Sequence, residues 1–425
     1  MKKLERSLSL PYVIAISIGG MLGSGIFVLP GLASSITGPS VWLAYLLGAI
    51  CVLPAALSKS ELATAMPSSG GTYVYIERAF GPLFGTISGI GLWLSLLLKS
   101  SFALIGLSAY LSVLIKIDSA MAQLVAIGFL ILILLLNIFG VKKVGKVQLL
   151  IVSVSLIGLG ALFIIGFPKT NPDFLSPFMS EGNAGLISAV AFVYISYSGV
   201  IKVAAIAGEI KNPSKNLPLA MILSLLSITA IYVFTAFILV GNISPESLGA
   251  DLKPIHTLAY ILGGKYFGYT AAVVGVLTLM SGANSGVLAS SRFPFAMARD
   301  LLMPTVFSKI HSKYLTPVIA ILFTGLLMAL VILFLDVVKI AKLASAFMVM
   351  MFIAVNFCVI ILRETSTQWY KPTYKSPLYP FLQVFGIISG FVLLMLLGLL
   401  PLTSVVVVFL PVSYTHLTLP TILLV

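Results

Sequence analysis

Gly20-Met21-Leu22-Gly23-Ser24-Gly25-Ile26-Phe27 decides how the chain is read. The octapeptide lies inside an apolar run from about Leu8 to Ile36, long enough to cross a bilayer. With Gly19 just ahead of it, four glycines fall within seven positions. Glycine weakens a helix interior and lets the backbone leave helical geometry. At membrane depth, irregular backbone is tolerated where it is buried in protein or lines a polar cavity. A break there frees N–H and C=O groups to face a site, so that a zwitterion is held with few charged side chains. The competing reading is a close helix–helix contact, which glycine also serves.

The rest of the sequence supplies the membrane. A chain of 425 residues that is 60% hydrophobic and 9% charged is a polytopic membrane protein, because no soluble domain buries so much apolar surface. Apolar windows predict an all-α chain of twelve spans, near 11–36, 39–66, 82–115, 119–139, 146–167, 185–209, 217–241, 267–298, 316–335, 340–362, 378–400 and 402–425. Placing residues 1–10 in the cytoplasm puts 17 of the 25 Lys and Arg residues on the inner side and six outside, with Lys99 and Lys202 within spans. This is the positive-inside pattern, so the net charge of +13 reports topology rather than nucleic-acid binding. The basic start lacks the short apolar core and cleavage site of a removed signal peptide. Cys51 and Cys358 both lie in apolar spans and indicate no disulfide framework. The expectation is a multi-pass cell-membrane protein with a cytoplasmic N-terminus.

A second interruption, Tyr197-Ser198-Gly199, falls in the sixth span, 174 residues after Gly25. Five spans separate the two breaks, and an odd number inverts the second copy relative to the first. Paired broken helices in two inverted halves mark a transport site near the midplane. The halves are 11–167 and 185–362, with 378–425 outside the repeat. Residues 411–425 are polar and broken by Pro411 and Pro420, with no closing Lys or Arg, and read as a foreign or truncated end.

Four motifs in order give a resemblance. The octapeptide at 20–27 resembles the first-span signature of the amino acid–polyamine–organocation (APC) transporters. Glu61 with Met66-Pro67-Ser68-Ser69-Gly70-Gly71-Thr72-Tyr73-Val74-Tyr75 and Phe80-Gly81 resembles their segment between spans two and three. Glu209-Ile210-Lys211-Asn212-Pro213-Ser214-Lys215-Asn216-Leu217-Pro218 resembles their loop after span six, and Ser291-Arg292 with Ala296-Met297-Ala298-Arg299-Asp300 the end of span eight. The resemblance implies a leucine-transporter-like 5+5 inverted repeat and alternating access. It implies that the substrate carboxylate meets the N–H groups of Ser24, Gly25 and Ile26 and the Ser24 hydroxyl. It also implies that the ammonium meets the carbonyls of Met21, Ile195 and Ser198, beside Gly199. Helix N-termini favour anions and C-termini cations, so the physics agrees.

The chain departs from the family at span five, where Ser155 takes the position of a lysine found in proton-coupled members. Lys99, in span three, and Lys202, three residues after Gly199, are the alternative coupling candidates. A lysine at mid-bilayer costs on the order of 3 kcal/mol and should face protein or water. Such a charge is able to stand in for a coupling sodium ion or to carry a proton. The competing readings are a structural pin on broken-helix carbonyls, an anion contact for Lys99, and snorkelling for Lys202. Tyr197 and Glu209 are gate candidates, with Lys211, Lys215 or Arg292 as partners for Glu209. Glu61, Glu77 and Arg78 read either as solvated charges or as part of a cytoplasmic gate. In span eight, Ser281, Asn284 and Ser285 read as interhelix hydrogen-bonding groups. His256, His311 and His416 lack metal-ligand spacing, so no metal or cofactor is expected.

Ile195, Val200 and Ile201 suggest an apolar side-chain pocket, and no acid lies deep in a span. A neutral apolar amino acid, taken up with a proton, is therefore expected. Exchange of one amino acid for another is the runner-up, and binding without flux a third reading. A channel would need repeated polar rings and an enzyme a paired acid, nucleophile or metal cluster, and the spans carry none of these.

Overall fold

The computed structural model describes residues 8–66, 71–139, 144–199, 203, 210–365, 367–404 and 406–407. The described chain is helical, and its one β-bridge pairs Leu8 with Ile210. Seven helices are long and apolar enough to span a membrane, and four shorter apolar helices accompany them.

The first expected span is not one helix. Helix α1 covers Leu10–Met21, α2 Ser24–Phe27 and α3 Leu29–Thr37. Gly23, at φ 129° and ψ −131°, sits between α1 and α2 in a conformation that L side chains rarely adopt. After α3 come α4 (Val41–Ala65), α5 (Thr72–Phe80), α6 (Pro82–Leu114), α7 (Ser119–Phe139) and α8 (Val144–Gly166). The sixth expected span begins as α9 (Gly182–Val193) and tightens into a 3₁₀ turn at Tyr194–Tyr197. A 3₁₀ stretch inside a span marks strain or a functional joint. Lys202 and Glu209 lie outside the described residues, as do Val200, Ile201 and the segment 411–425.

The chain continues through α10 (Pro213–Asn242), α11 (Pro254–Ser290), α12 (Arg292–Arg299), α13 (Val318–Phe334), α14 (Val337–Glu364) and α15 (Phe381–Leu396). Gly264, at φ 76° and ψ −168°, leaves helical geometry and divides α11 into a short piece from Pro254 and a long one that starts close to the 267 expected for the eighth span. The twelfth expected span, 402–425, falls mostly outside the described residues.

Two packing relations position the site. The long helices α6 and α11 run against each other over much of their length, and α10 packs along α4. Close approach explains the glycines on the first pair: a Cβ on Gly286 would overlap the Ser100 hydroxyl, and one on Gly275 the Tyr110 ring. The broken first helix threads between these layers, touching α11, α6 and the 3₁₀ turn through α2. The Lys211 N–H donates to the Leu8 carbonyl at 2.9 Å, tying the start of α1 to the loop after the sixth span.

Candidate functional site

The site begins with the peptide groups that the break releases. Leu22 N–H still reaches Ile18 O at 2.7 Å, closing α1. Ile26 and Phe27 donate back to Gly23 O at 3.2 and 3.0 Å, opening α2. The N–H groups of Ser24 and Gly25 stand in the first turn of α2, where a helix offers no acceptor of its own. Their aligned dipoles make that terminus receptive to an anion. Ser24, Gly25 and Ile26 are all buried.

The opposing carbonyls are capped by tyrosines. Tyr232 of α10 donates its hydroxyl to Met21 O at 2.6 Å and lies 3.2 Å from Ser196 O. Tyr45 of α4 donates to Gly25 O at 2.6 Å, and Tyr110 of α6 donates to Phe27 O at 2.7 Å. A buried tyrosine hydroxyl seeks a partner, and here three find carbonyls that the interrupted helix would otherwise leave bare. The sequence reading named none of these tyrosines. Aromatic residues spaced along apolar spans carry no periodic mark of such a role.

Lys99 stands between the two interruptions. From α6 its Nζ donates to Gly20 O at 3.0 Å and to Ser198 Oγ at 2.5 Å. Gly20 belongs to the C-terminal turn of α1, where unpaired carbonyls favour a cation. Ser198 follows the 3₁₀ turn of the sixth span. One ammonium thus links both broken segments to the long helix that packs against them. Gly20, Gly23, Ser24, Lys99, Ser198 and Gly286 are among the residues around a cavity of about 20 Å³. That is room for about one water and not for an amino acid, so admitting a substrate requires Lys99 or the surrounding helices to move.

The other expected site residues are placed as follows. Gly199 packs its Cα so tightly on α1 that a Cβ would overlap the Ser17 carbonyl and the Met21 side chain. Ile195 is buried and faces α14, its N–H on Ser345 Oγ at 3.3 Å. Tyr197 is buried between α4 and α10, donating to Tyr45 O at 2.6 Å with its ring 5.5 Å from that of Tyr232. It is not among the residues around the Lys99 cavity. Ser155 of α8 shares a 2.6 Å hydrogen bond with Thr278 of α11, a link between two helices. Asn284 accepts from Asn137 Nδ2 at 2.8 Å.

Glu61 is not a solvated charge. Glu61 is fully buried in α4 and accepts from Arg363 Nε at 2.8 Å, Ser376 N at 2.8 Å, Ser376 Oγ at 2.7 Å and Tyr370 OH at 2.9 Å. Lys59 is fully buried two residues earlier, its Nζ without a hydrogen-bond partner among the described residues and 3.9 Å from the centre of the Phe352 ring. Both lie within the span expected at 39–66, which the structure forms as one helix to Ala65. Outside the spans, Tyr370 is shifted upward from its ordinary value by burial and by the Glu61 carboxylate.

No cluster of three metal-ligating side chains occurs among the described residues.

The family model for amino acid permeases matches residues 8–422. The chain is 30% identical to the serine/threonine exchanger SteT of Bacillus subtilis (strain 168), over 92% of this chain and 91% of that protein. It is 29% identical to the branched-chain amino acid permease BcaP of the same organism, over 93% and 89%. It is 28% identical to that organism's methylthioribose transporter, over 94% and 89%. Three different cargoes at nearly equal identity leave the substrate to be argued from the site itself. With its broken first helix and this match along almost its whole length, the chain belongs to the amino acid permease family of the APC superfamily.

Proposed function

We propose that the protein is a secondary active transporter that carries an amino acid zwitterion by alternating access, built as a 5+5 inverted repeat within twelve spans. The carboxylate is received by the N–H groups of Ser24 and Gly25 and by the Ser24 hydroxyl, at the N-terminus of α2. The ammonium is received by the carbonyls of Met21, Ile195 and Ser198. Lys99 supplies a tethered positive charge where another carrier would use a bound sodium ion. The observation that carries this reading is the Lys99 bridge from Gly20 O to Ser198 Oγ across the two interruptions. A cation so placed lies beside the α2 N-terminus and shares the work of neutralising a carboxylate.

The cargo is a neutral amino acid, because Lys99 answers the one carboxylate and glycine and serine dominate the cavity wall. Uptake is coupled to a proton. The exchanger among the relatives favours a second mechanism, exchange of one amino acid for another. Proteoliposomes loaded with no amino acid and given an inward proton gradient separate the two. Accumulation of labelled neutral amino acids under these conditions is the expected result. Uptake that appears only after preloading with unlabelled amino acid assigns exchange instead, and no saturable uptake in either case rejects transport.

A further inference from the structure

A second cavity, of about 1080 Å³, lies away from the break. Helices α5 and α12, the chain around 310–317 and the ends of α7 and α13 enclose it. None of α1, α2, α9 or the 3₁₀ turn contributes to its wall, so it is separate from the transport site. Its volume lies just above the roughly 300–1,000 Å³ usual for pockets that hold small organic ligands.

The wall combines two chemistries. Arg78, Arg292 and Arg299 line it, and among the described residues none of the three forms a salt bridge. Glu77 and Asp300 line it as well, and Tyr73 donates its hydroxyl to Asp300 Oδ2 at 2.7 Å. The site therefore offers guanidinium donors and carboxylate acceptors side by side. Leu288, Phe295 and Ile321 supply apolar wall. Beyond the rim, the apolar surface continues along α7 and α13, where Leu135, Phe139 and Leu322 are 44%, 57% and 50% exposed. The first of these is among the helices long and apolar enough to span a membrane, so its exposed apolar residues suit lipid chains. The charge bias of the sequence assigns the charged part to the cytoplasmic side, where lipid headgroups would meet it.

A soluble anion would need the arginines alone. It would not need the two carboxylates or an apolar slope leading to the bilayer. A phospholipid with an amine-bearing headgroup uses every part: phosphodiester on arginine, ammonium on carboxylate, acyl chains along α7 and α13. We propose that this cavity is a binding site for such a phospholipid, with phosphatidylethanolamine chemistry, held through Arg78, Arg292 and Arg299 on its phosphate and Asp300 and Glu77 on its amine. Occupancy ties α5 and α12 to the foot of α7 and α13.

The test is lipid retention by the purified full-length protein. Wild type and Arg299→Gln are each reconstituted in phosphatidylcholine alone, in phosphatidylcholine with phosphatidylethanolamine, and in phosphatidylcholine with phosphatidylglycerol. They are then extracted and the retained lipid is counted by native mass spectrometry. The expected result is retention of phosphatidylethanolamine by wild type, reduced about tenfold by Arg299→Gln through loss of one charge-assisted contact. Phosphatidylcholine, which has no N–H to offer the carboxylates, is not retained. Equal retention of phosphatidylethanolamine by both proteins overturns the site. Preferential retention of phosphatidylglycerol overturns the role given to Asp300 and Glu77. Displacement of the lipid by inorganic phosphate alone overturns the lipid as ligand in favour of a soluble phosphate. Asp300→Asn is a second variant, expected to weaken phosphatidylethanolamine retention and spare phosphatidylglycerol, so a folding defect in Arg299→Gln does not decide the outcome.

Discussion

At the scale of single residues, the account rests on who satisfies the peptide groups that a broken helix exposes. Lys99→Met keeps most of the side-chain volume and removes the donor to Gly20 O and Ser198 Oγ. Hydrogen bonds to charged groups contribute about 1.5–3 kcal/mol, so substrate affinity is expected to fall about tenfold to a hundredfold. Concentration-dependent uptake in proteoliposomes reads this directly, and an unchanged half-saturation point would remove Lys99 from the site. Tyr232→Phe bares Met21 O and Ser196 O and should lower stability by about 1–3 kcal/mol, read as a lower thermal midpoint in detergent. Half of this chemistry was legible in the sequence. Glycines at 19, 20, 23 and 25 announce a backbone that leaves the helix, and a lysine inside an apolar span announces a purpose. The caps were not legible, because Tyr45, Tyr110 and Tyr232 come from three distant helices and meet α1 and α2 only when the bundle closes.

Among elements, α4 and α14 carry the next test. Arg363 of α14 reaches Glu61 of α4, with side chains 18% and 0% exposed. Removing one partner of a buried pair strands the other and costs about 3–5 kcal/mol, here toward the lower end because Arg363 is partly wet. Arg363→Met should therefore unfold at distinctly lower temperature. Lys59→Met should not: its ammonium has a ring beneath it but no acceptor among the described residues, so an apolar side chain of similar length is expected to leave stability unchanged or raise it. A drop for Lys59→Met as large as that for Arg363→Met would refute this contrast. On α5, burial and then the neighbouring Asp300 push the Glu77 carboxyl above its ordinary range. The folded chain then binds this proton more tightly than the unfolded chain. The favourable contribution is complete below the ordinary carboxylate range and is lost as pH rises through the raised value. Glu77→Gln should accordingly raise the thermal midpoint at about pH 7 and leave it unchanged at about pH 4. The helices themselves followed from apolar runs and their bounding prolines and glycines. The Glu61–Arg363 pair did not, since 302 residues separate the partners and no local pattern joins them.

For the whole molecule, the claim is that interrupted helices stand together and hold a small zwitterion. Membrane class and family membership were readable from composition and four motifs. The enclosed state of the centre was not, because cavity volume is set by how α6, α11 and the broken helix close on one another. Gly25 offers the cleanest probe of that closure. A Cβ there would lie 2.8 Å from the Tyr232 hydroxyl and 3.0 Å from Ser196, whereas a Cβ on Gly128 of α7 meets nothing within 4 Å. The deciding measurement is saturable uptake of labelled amino acids by Gly25→Ala and Gly128→Ala in matched proteoliposomes, with folding checked by thermal midpoint. The account predicts that Gly128→Ala transports like wild type, while Gly25→Ala stays folded and loses nearly all uptake. Wild-type uptake and affinity in Gly25→Ala would contradict it.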